Sequence, residues 1–270
     1  MPRVMFLLVF VATLAWGSAT PSKQVIQGPE VEEFLKKAKF AAKEPLGSGV
    51  TASLKVTLER NGTRQFAVLK IVDQKRPGLQ RNASGQMELD FQDSWRTEVA
   101  AYELDKLLGL GMVPATVSRT SPYNDTPASL QIWVEAALTE TKRREKAVIP
   151  PNPEQWSQQL AAMSVFDALI YNTDRHPDNL LISDTFEVRL IDHSRSFRPN
   201  AELRNKDDLS RVSRSLMARI ERLTKSEVTK KMGDYLTLTQ IDGLMKRRQL
   251  LLDFVSEKSK ESGESAVYFP

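Results

Sequence analysis

The sequence contains no cysteine among its 270 residues. This absence excludes disulfide bonds, cysteine-based zinc sites, iron–sulfur clusters and thiol nucleophiles. Beyond its first residues the chain has no apolar run long enough to cross a bilayer, and it has no internal repeats. The formal net charge is only +4, which suits an anionic substrate or surface and gives no reason to expect a nucleic-acid partner. The hydrophobic content of 41% is enough for one domain of two lobes or for two small domains.

The first residues have the pattern of an export signal. Arg3 precedes an apolar run over residues 5–12, and Gly17, Ser18 and Ala19 are small residues suited to cleavage. We therefore expect residues 1–19 to be a signal peptide and the protein to be exported, either periplasmic or secreted. An uncleaved N-terminal anchor is the main alternative, and it is the only membrane contact that we expect.

Three polar residues follow one another at the ends of short apolar strands in the second half of the chain. Asp174 and Asn179 are five positions apart, and Asp192 is eighteen positions after Asp174. Their side chains are hard oxygen ligands or bases, and rigid flanking elements would hold them in place. One acid at a strand end carries little information. Two aspartates, an asparagine and a histidine together favour a functional site over an acidic hairpin.

A lysine inside an apolar strand is the second unusual feature. Lys70 lies in the apolar run 66–72, where an unpaired buried ammonium group would be costly. It either has an anionic partner or lies at an edge and extends into water. Upstream, Gly47 and Gly49 form a Gly-x-Gly turn, which can bring backbone N–H groups close to phosphates.

Together these features resemble the protein-kinase superfamily. Kinases place a Gly-rich loop, a strand lysine, a catalytic Asp, a metal-binding Asn and a metal-binding Asp in this order, with similar spacing. The pattern Asp-Arg-His-x-x-Asn followed by Leu-Ile-Asp-His is most similar to the atypical branch. That branch includes phosphoinositide 3/4-kinase-like proteins, HipA-type kinases and secretory-pathway kinases.

The resemblance implies an α+β, bilobal protein-kinase-like fold. Its N-lobe would be an antiparallel sheet with one helix, and its C-lobe would be mainly helical. We expect a linker and short helix over residues 20–43, the N-lobe over 44–135, the C-lobe over 136–258 and a flexible tail over 259–270. We also expect residues 73–94 to be a mobile loop, Lys142 to Arg144 to be a solvated loop, and Thr239 to cap a helix over 240–257.

The resemblance also implies roles for individual residues. Lys70, with the glycines Gly47 and Gly49, would hold the phosphates of ATP. A glutamate of the following helix would pair with Lys70, and we expect it to be Glu98, with Glu103 as the alternative. The inter-lobe hinge from Glu135 to Ala137 would line the adenine pocket.

The remaining implied roles concern the cation and the acceptor. Asn179 and Asp192 would bind Mg²⁺ or Mn²⁺, and Asp174 would accept the proton of the acceptor hydroxyl. His176 could be a second base, a phosphate contact or a structural brace, whereas Arg175 would hold the loop through buried hydrogen bonds. We expect the acceptor to be a protein Ser or Thr hydroxyl, with a lipid or sugar hydroxyl as the alternative.

Three features depart from the ordinary kinase pattern, and the first is that His176 follows Asp174, whereas ordinary kinases have His-Arg-Asp. His193 and Ser194 stand where kinases have the Phe and Gly of Asp-Phe-Gly, which leaves open a pseudokinase that binds a nucleotide or a protein without turnover. A Ser-His-Asp arrangement of Ser194, His176 and Asp174 is a further alternative. It lacks the nucleophile elbow that such hydrolases use.

Export can be tested directly. A positive residue before the apolar run favours the orientation that sends the following chain across the membrane. Alkaline phosphatase fused to the C terminus should therefore be active in intact bacterial cells, because that enzyme is active only outside the inner membrane. An inactive, full-length fusion recovered from the cytoplasm would overturn the export prediction.

Overall fold

The N-terminal half of the protein is built on a five-stranded antiparallel sheet. The computed structural model describes residues 24–47, 53–81, 87–135 and 137–269, so the signal-peptide prediction lies outside them. The strands follow the order β1-β2-β3-β7-β6. Their bounds are β1 Lys39–Pro45, β2 Leu54–Arg60, β3 Thr63–Lys70, β6 Thr116–Thr120 and β7 Pro127–Ile132.

The β2–β3 hairpin places Lys70 opposite the core face of the sheet. Asn61 and Gly62 both have positive φ angles, 50° and 76°, as a tight two-residue hairpin turn requires. Along β3, Ala67 and Leu69 are fully buried in the hydrophobic core. Because successive side chains of a strand alternate between faces, Lys70 projects from the other face. This alternation explains how an apolar strand carries a lysine.

Helix α2, Trp95–Leu108, packs against β6 and β7. Ser94 caps its first turn by accepting a hydrogen bond from the backbone N–H of Arg96 at 3.2 Å, and Gly109 ends it in a left-handed conformation. The first turn of α2 therefore has a fixed position beside the sheet.

The N-lobe begins earlier than residue 44, the predicted boundary. Helix α1, Pro29–Lys37, begins with a proline, and its Leu35 is fully buried. Strand β1 then pairs with β2 from Lys39 onwards. The prediction of a linker and short helix over 20–43 is therefore wrong for residues 39–43, which belong to strand β1. The alternation of apolar and polar residues in β1 is too weak to identify it from the sequence.

Residues 73–94 also differ from the predicted mobile loop. They form β4, Asp73–Arg81, and β5, Met87–Ser94, which pair as an antiparallel hairpin with an irregularity between Arg76 and Leu79. The base of the hairpin is anchored to the C-lobe, because the side-chain amide of Gln92 donates to the backbone carbonyl of Ser196 at 2.7 Å. Its polar composition concealed this anchoring.

The C-lobe is mainly helical and also contains a three-stranded sheet. Helix α4 begins after Asn152, whose side chain caps it. The short strands follow the order β10-β9-β8. None of the helices in the described ranges is long and apolar enough to cross a membrane. The elements are β8 Leu138–Thr139, α3 Glu140–Glu145, α4 Pro153–Ile170, β9 Leu180–Ile182, β10 Val188–Leu190, α5 Arg214–Arg222, α6 Lys225–Met232 and α7 Leu238–Ser262.

Two local predictions in this lobe are wrong. The basic cluster after residue 141 lies in α3 and not in a loop, because Arg143 and Arg144 both pair with Glu140, which is buried. Helix α7 is capped by Thr237 and not by Thr239, since Thr237 and Gln240 form a reciprocal capping box.

The predicted flexible tail is ordered as well. Helix α7 extends to Ser262, followed by α8, Glu264–Val267, and β12, Tyr268–Phe269. Strand β12 pairs in parallel with β11, Val212–Ser213. The side chains of Val267 and Phe269 are 1% and 8% exposed, so the apolar end of the chain is part of the packed lobe.

Deleting residues 264–270 should lower the free energy of unfolding by at least about 2 kcal/mol, because the deletion removes two buried apolar side chains. Urea unfolding measures this change. Glu264→Ala is the matched control: it removes only the exposed ion pair with Arg214, at 2.9 Å, which should cost less than about 1 kcal/mol. Equal stability of the truncated and full-length proteins would contradict the packed tail.

Candidate active site

A buried lysine lies between two carboxylates at the junction of the lobes. The Nζ atom of Lys70 is 2.6 Å from Oε1 of Glu98 and 2.7 Å from Oδ1 of Asp192. These residues come from the end of β3, the first turn of α2 and the segment after β10. The structure thus pairs Lys70 with Glu98, and it adds Asp192 as a second partner. Glu103, the alternative, instead pairs with Lys106 on the surface of α2.

The charges of this cluster support one another. Burial by itself would lower the pKa of Lys70, but the charges of Glu98 and Asp192 outweigh it and raise that pKa above its usual value. Burial would raise the pKa of Glu98, but the charge of Lys70 and a hydrogen bond from His193 hold it well below its usual value. Lys70 and Glu98 are therefore both charged at neutral pH.

The segment after β10 is bonded to α2 through its backbone. The N–H of His193 donates to Oε2 of Glu98 at 2.9 Å, so both oxygens of that carboxylate are used. The carbonyl of Ser194 accepts from the backbone N–H of Ser94 at 2.9 Å and from the hydroxyl of Thr97 at 3.1 Å. Asp192 itself has a φ of 58°, in the left-handed region, and its Oδ1 accepts from the Ser194 hydroxyl at 3.0 Å.

His193 is fully buried and takes part in two polar contacts. Its ring meets Phe166 edge-on, with centroids 6.0 Å apart. A guanidinium nitrogen of Arg175 lies 3.1 Å from its Nε2, and because arginine can only donate, Nε2 is the acceptor. The ring proton therefore resides on Nδ1, which lies 3.6 Å from Oε2 of Glu98.

Arg175 holds the loop that contains Asp174 and Asn179 in place, as predicted. It binds both oxygens of Asp167, at 2.8 and 2.9 Å. Another of its nitrogens donates to the backbone carbonyls of Asn179 and Ile191, each at 2.9 Å. Because these carbonyls precede and follow the β9–β10 hairpin, Arg175 fixes Asn179 relative to Asp192.

Asp174 and Asn179 are joined directly. The amide nitrogen of Asn179 donates to the backbone carbonyl of Asp174 at 3.1 Å, and the N–H of Asp174 is bonded to the side chain of Asn172. The backbone N–H of Ile191 donates to the carbonyl of Asn179 at 3.2 Å. The structure therefore brings Asp174, Asn179 and Asp192 to one site, with the carboxylate of Asp174 42% exposed.

The other predicted site residues lie at the edges of this network. His176 caps a short 3₁₀ turn, its side chain is 65% exposed, and its Nδ1 lies 3.4 Å from Asp178. Gly47 lies in the turn after β1, and Gly49 is outside the described residues. Glu135 is exposed and its N–H donates to the side chain of Gln24, whereas Ala137 is half-buried before β8.

The Ser-His-Asp alternative is not assembled. Ser194 is 3% exposed and its hydroxyl bonds to Asp192. His176 meanwhile contacts Asp178 and solvent.

Sequence reasoning missed two charged residues at the site. Asp93 on β5 is 4% exposed, and burial raises its pKa despite the neighbouring Ser194 side chain and the nearby charge of Lys70. Nε of Arg195 lies 3.7 Å from Oδ2 of Asp174. An Asp in an apparent loop and an Arg after the Asp-His-Ser motif carried no local signal.

The donor set suits a hard divalent cation. Within the described part of the chain, no group of three or more His, Asp or Glu residues could hold a metal alone. Asp192 and Asn179 nevertheless supply a carboxylate and an amide oxygen within one bonded unit, and kinase cations take their other ligands from nucleotide phosphates and water. The residues present therefore fit a cation that binds together with a nucleotide.

Comparison with known families identifies the chain. The sequence profile of the phosphatidylinositol 3- and 4-kinase family matches residues 83–232, which is more than half of the protein. The chain belongs to this family. The predicted relationship to the atypical protein-kinase-like superfamily is therefore confirmed. No curated protein matches the chain significantly.

Solved structures confirm the predicted bilobal fold. The structure of hydra Fam20 with sugar superposes with a TM-score of 0.66 at 18% identity, covering 89% of this chain and 91% of that one. The structure of the Golgi casein kinase has a TM-score of 0.62 at 13% identity, covering 88% of this chain and 76% of that one. At these identities the likeness concerns the fold.

The Lys70 cluster yields a stability prediction. Lys70→Met should destabilise the protein by about 3–5 kcal/mol, because it leaves two carboxylates without their cation. Adding Glu98→Gln should recover part of this loss, giving a coupling energy above about 1 kcal/mol in urea unfolding. The exposed pair of Lys37 and Glu33, at 3.2 Å, is the control and should show a coupling below about 0.5 kcal/mol. Strict additivity of the Lys70 and Glu98 changes would reject their pairing.

Proposed function

We propose that this protein is an ATP-dependent and Mg²⁺- or Mn²⁺-dependent phosphotransferase that acts on a hydroxyl acceptor. The observation that carries the proposal is the ion cluster of Lys70, Glu98 and Asp192, bonded through the β9–β10 hairpin to Asn179 and Asp174. Phosphoryl transfer depends mainly on positioning and charge stabilisation, and this arrangement provides both.

The nucleotide would bind on the Lys70 face of the sheet. Lys70 neutralises phosphate charge and Glu98 keeps the ammonium group in position. Gly47 lies in the turn after β1, where its backbone N–H group can approach the phosphates, and we propose the same role for Gly49 from the sequence pattern. The segment from Glu135 to Ala137 follows β7 and lines the adenine pocket.

Asp192 and Asn179 hold the cation. The carboxylate of Asp192 and the amide oxygen of Asn179 are its protein ligands, and a divalent cation bound there would neutralise charge on the nucleotide phosphates. The amide nitrogen of Asn179 is already bonded to the backbone of Asp174, so its oxygen is the end left for a cation.

Asp174 acts on the acceptor. Its carboxylate is half-exposed, so an acceptor hydroxyl can reach it, orient against it and transfer a proton to it. We propose a protein Ser or Thr hydroxyl as the acceptor. The Golgi casein kinase, whose fold this chain shares, is named for a protein substrate.

A sugar hydroxyl is the second candidate. A pocket of about 200 Å³ opens beside the loop of Asp174 and Asn179, and the polar part of its lining includes Asn172, Thr173, Arg204, Asn205 and Asp208. A mixture of donors and acceptors in a small pocket suits a polyhydroxylated molecule. The hydra Fam20 structure with sugar supports the same possibility. Parallel assays with a peptide library and a panel of monosaccharides distinguish the two acceptors.

We also propose that the enzyme acts outside the cytoplasm. The apolar run near the N terminus supports export, and the Golgi location named for a kinase of the same fold is consistent with it. ATP and the cation would then have to be available in that compartment.

Nucleotide binding should depend on the cation through Asp192. ATP with Mn²⁺ at 100 times the dissociation constant should stabilise the wild-type protein by about 2.7 kcal/mol, read as a thermal shift. Asp192→Asn should abolish the Mn²⁺-dependent part of that shift, whereas Asp174→Asn should keep the shift but lose phosphoryl transfer.

Asp178→Asn is the matched control, because Asp178 is an exposed acid on the same loop. It should leave the Mn²⁺-dependent shift intact. A full shift in Asp192→Asn would remove Asp192 from the cation site. A normal shift in the wild-type protein without transfer to any acceptor would instead identify a pseudokinase.

A further inference from the structure

Phosphoryl transfer needs positive charge beside the oxygens of the transferred group. Lys70 serves the nucleotide phosphates in the proposed function, and Arg175 and His176 contact other groups. Lys70 is bound by Glu98 and Asp192, and Arg175 is bound by Asp167 and two backbone carbonyls. The ring of His176 contacts Asp178 and solvent. None of these contacts places a positive charge on the acceptor side of the site.

Arg195 lies at that position. Its Nε is 3.7 Å from Oδ2 of Asp174, which is a looser contact than the 2.6–2.8 Å pairs of Lys70 and Arg175. Its backbone carbonyl accepts from the hydroxyl of Thr173 at 3.3 Å, so the residue is bonded to the catalytic loop. Its side chain is 25% exposed, which leaves it accessible to a substrate.

An aromatic ring positions the guanidinium group. The Arg195 guanidinium lies 5.3 Å from the centroid of Phe91, on β5 of the hairpin that sequence reasoning missed. A cation–π contact orients a guanidinium through its flat face and leaves its N–H donors available in the plane. Arginine is also always charged and its fork of donors matches phosphate oxygens. Phe91 thus prepares Arg195 to bind an anion.

We propose that Arg195 is a catalytic residue that binds the non-bridging oxygens of the transferred phosphoryl group, an inference that rests on the proposed function. In that step the acceptor oxygen bonds to the γ-phosphorus while the bond from this phosphorus to the β–γ bridging oxygen breaks. The acceptor proton passes to Asp174, and ADP leaves with the electron pair. Arg195 stabilises the negative charge that develops on the transferred phosphoryl group.

The test uses ATP with Mn²⁺ and water as the acceptor, so that no unidentified substrate is needed. Arg195→Gln should lower kcat by about 100-fold or more, because it removes a donor that acts mainly in the transition state. The affinity for ADP with Mn²⁺, measured by thermal shift, should change less than about threefold. Arg195→Lys should restore part of the rate, because it keeps the charge but not the fork. It also serves if the Gln variant does not fold.

Arg76→Gln is the matched control. Arg76 stacks on the same Phe91 ring, at 5.4 Å, and is exposed. It should keep kcat within about twofold of the wild type, since only the Arg195 guanidinium is proposed to reach the phosphoryl group. A comparable loss of kcat in Arg76→Gln would mean that both arginines act only by stabilising the stack on Phe91. That result would overturn the proposal.

Other outcomes separate the two levels of inference. A folded Arg195→Gln variant with near wild-type kcat overturns the role of Arg195 and leaves the proposed function standing. A variant that loses ADP affinity as strongly as kcat assigns Arg195 to nucleotide binding, which also overturns it. Absence of turnover in the wild-type protein with water and with every peptide and sugar acceptor overturns the proposed function together with this inference.

Discussion

Charge balance around one buried ammonium group fixes the geometry of the site. Moving an ammonium from water into the protein costs several kcal/mol unless opposite charges lie close to it. Lys70 meets this requirement through two carboxylates, Glu98 at 2.6 Å and Asp192 at 2.7 Å. The sheet, α2 and the segment after β10 are therefore held together by electrostatics as well as by packing. Two carboxylates beside one ammonium group give the cluster a formal net charge of −1, which favours the binding of a divalent cation.

A second, partly buried cation holds the same segment from the C-lobe side. Arg175 forms a bidentate pair with Asp167 and uses its remaining donors on the carbonyls of Asn179 and Ile191 and on the ring of His193. Residues 191–193 are thus held between Lys70 and Glu98 on one side and Arg175 on the other. Since a loop fixed at both ends loses little entropy on binding a ligand, the site is preorganised.

The sequence identified those parts of the site whose information is local. The spacing of Asp174, Asn179 and Asp192 and the apolar run around Lys70 are short-range patterns, and the structure brings these residues together. Asp93 and Arg195 belong to the site only through tertiary contacts. Strand β5, which carries Asp93, has few apolar residues that would reveal it as a strand. The packed C terminus escaped prediction for a similar reason: the partner of β12 is β11, more than fifty residues away.

The residues at positions 193 and 194, which differ from the ordinary kinase motif, are compatible with a functional site. At position 193 the backbone N–H satisfies Glu98 while the ring accepts from Arg175, so the histidine replaces an apolar side chain without leaving either charged partner unbonded. At position 194 the serine hydroxyl and Lys70 both donate to Oδ1 of Asp192. This orients the carboxylate and leaves Oδ2 as the oxygen for a cation, because a carboxylate oxygen with two donors has little capacity left. A glycine has no side chain that could donate this hydrogen bond. Ser194 therefore helps to orient the Asp192 carboxylate, which the backbone alone would otherwise have to do.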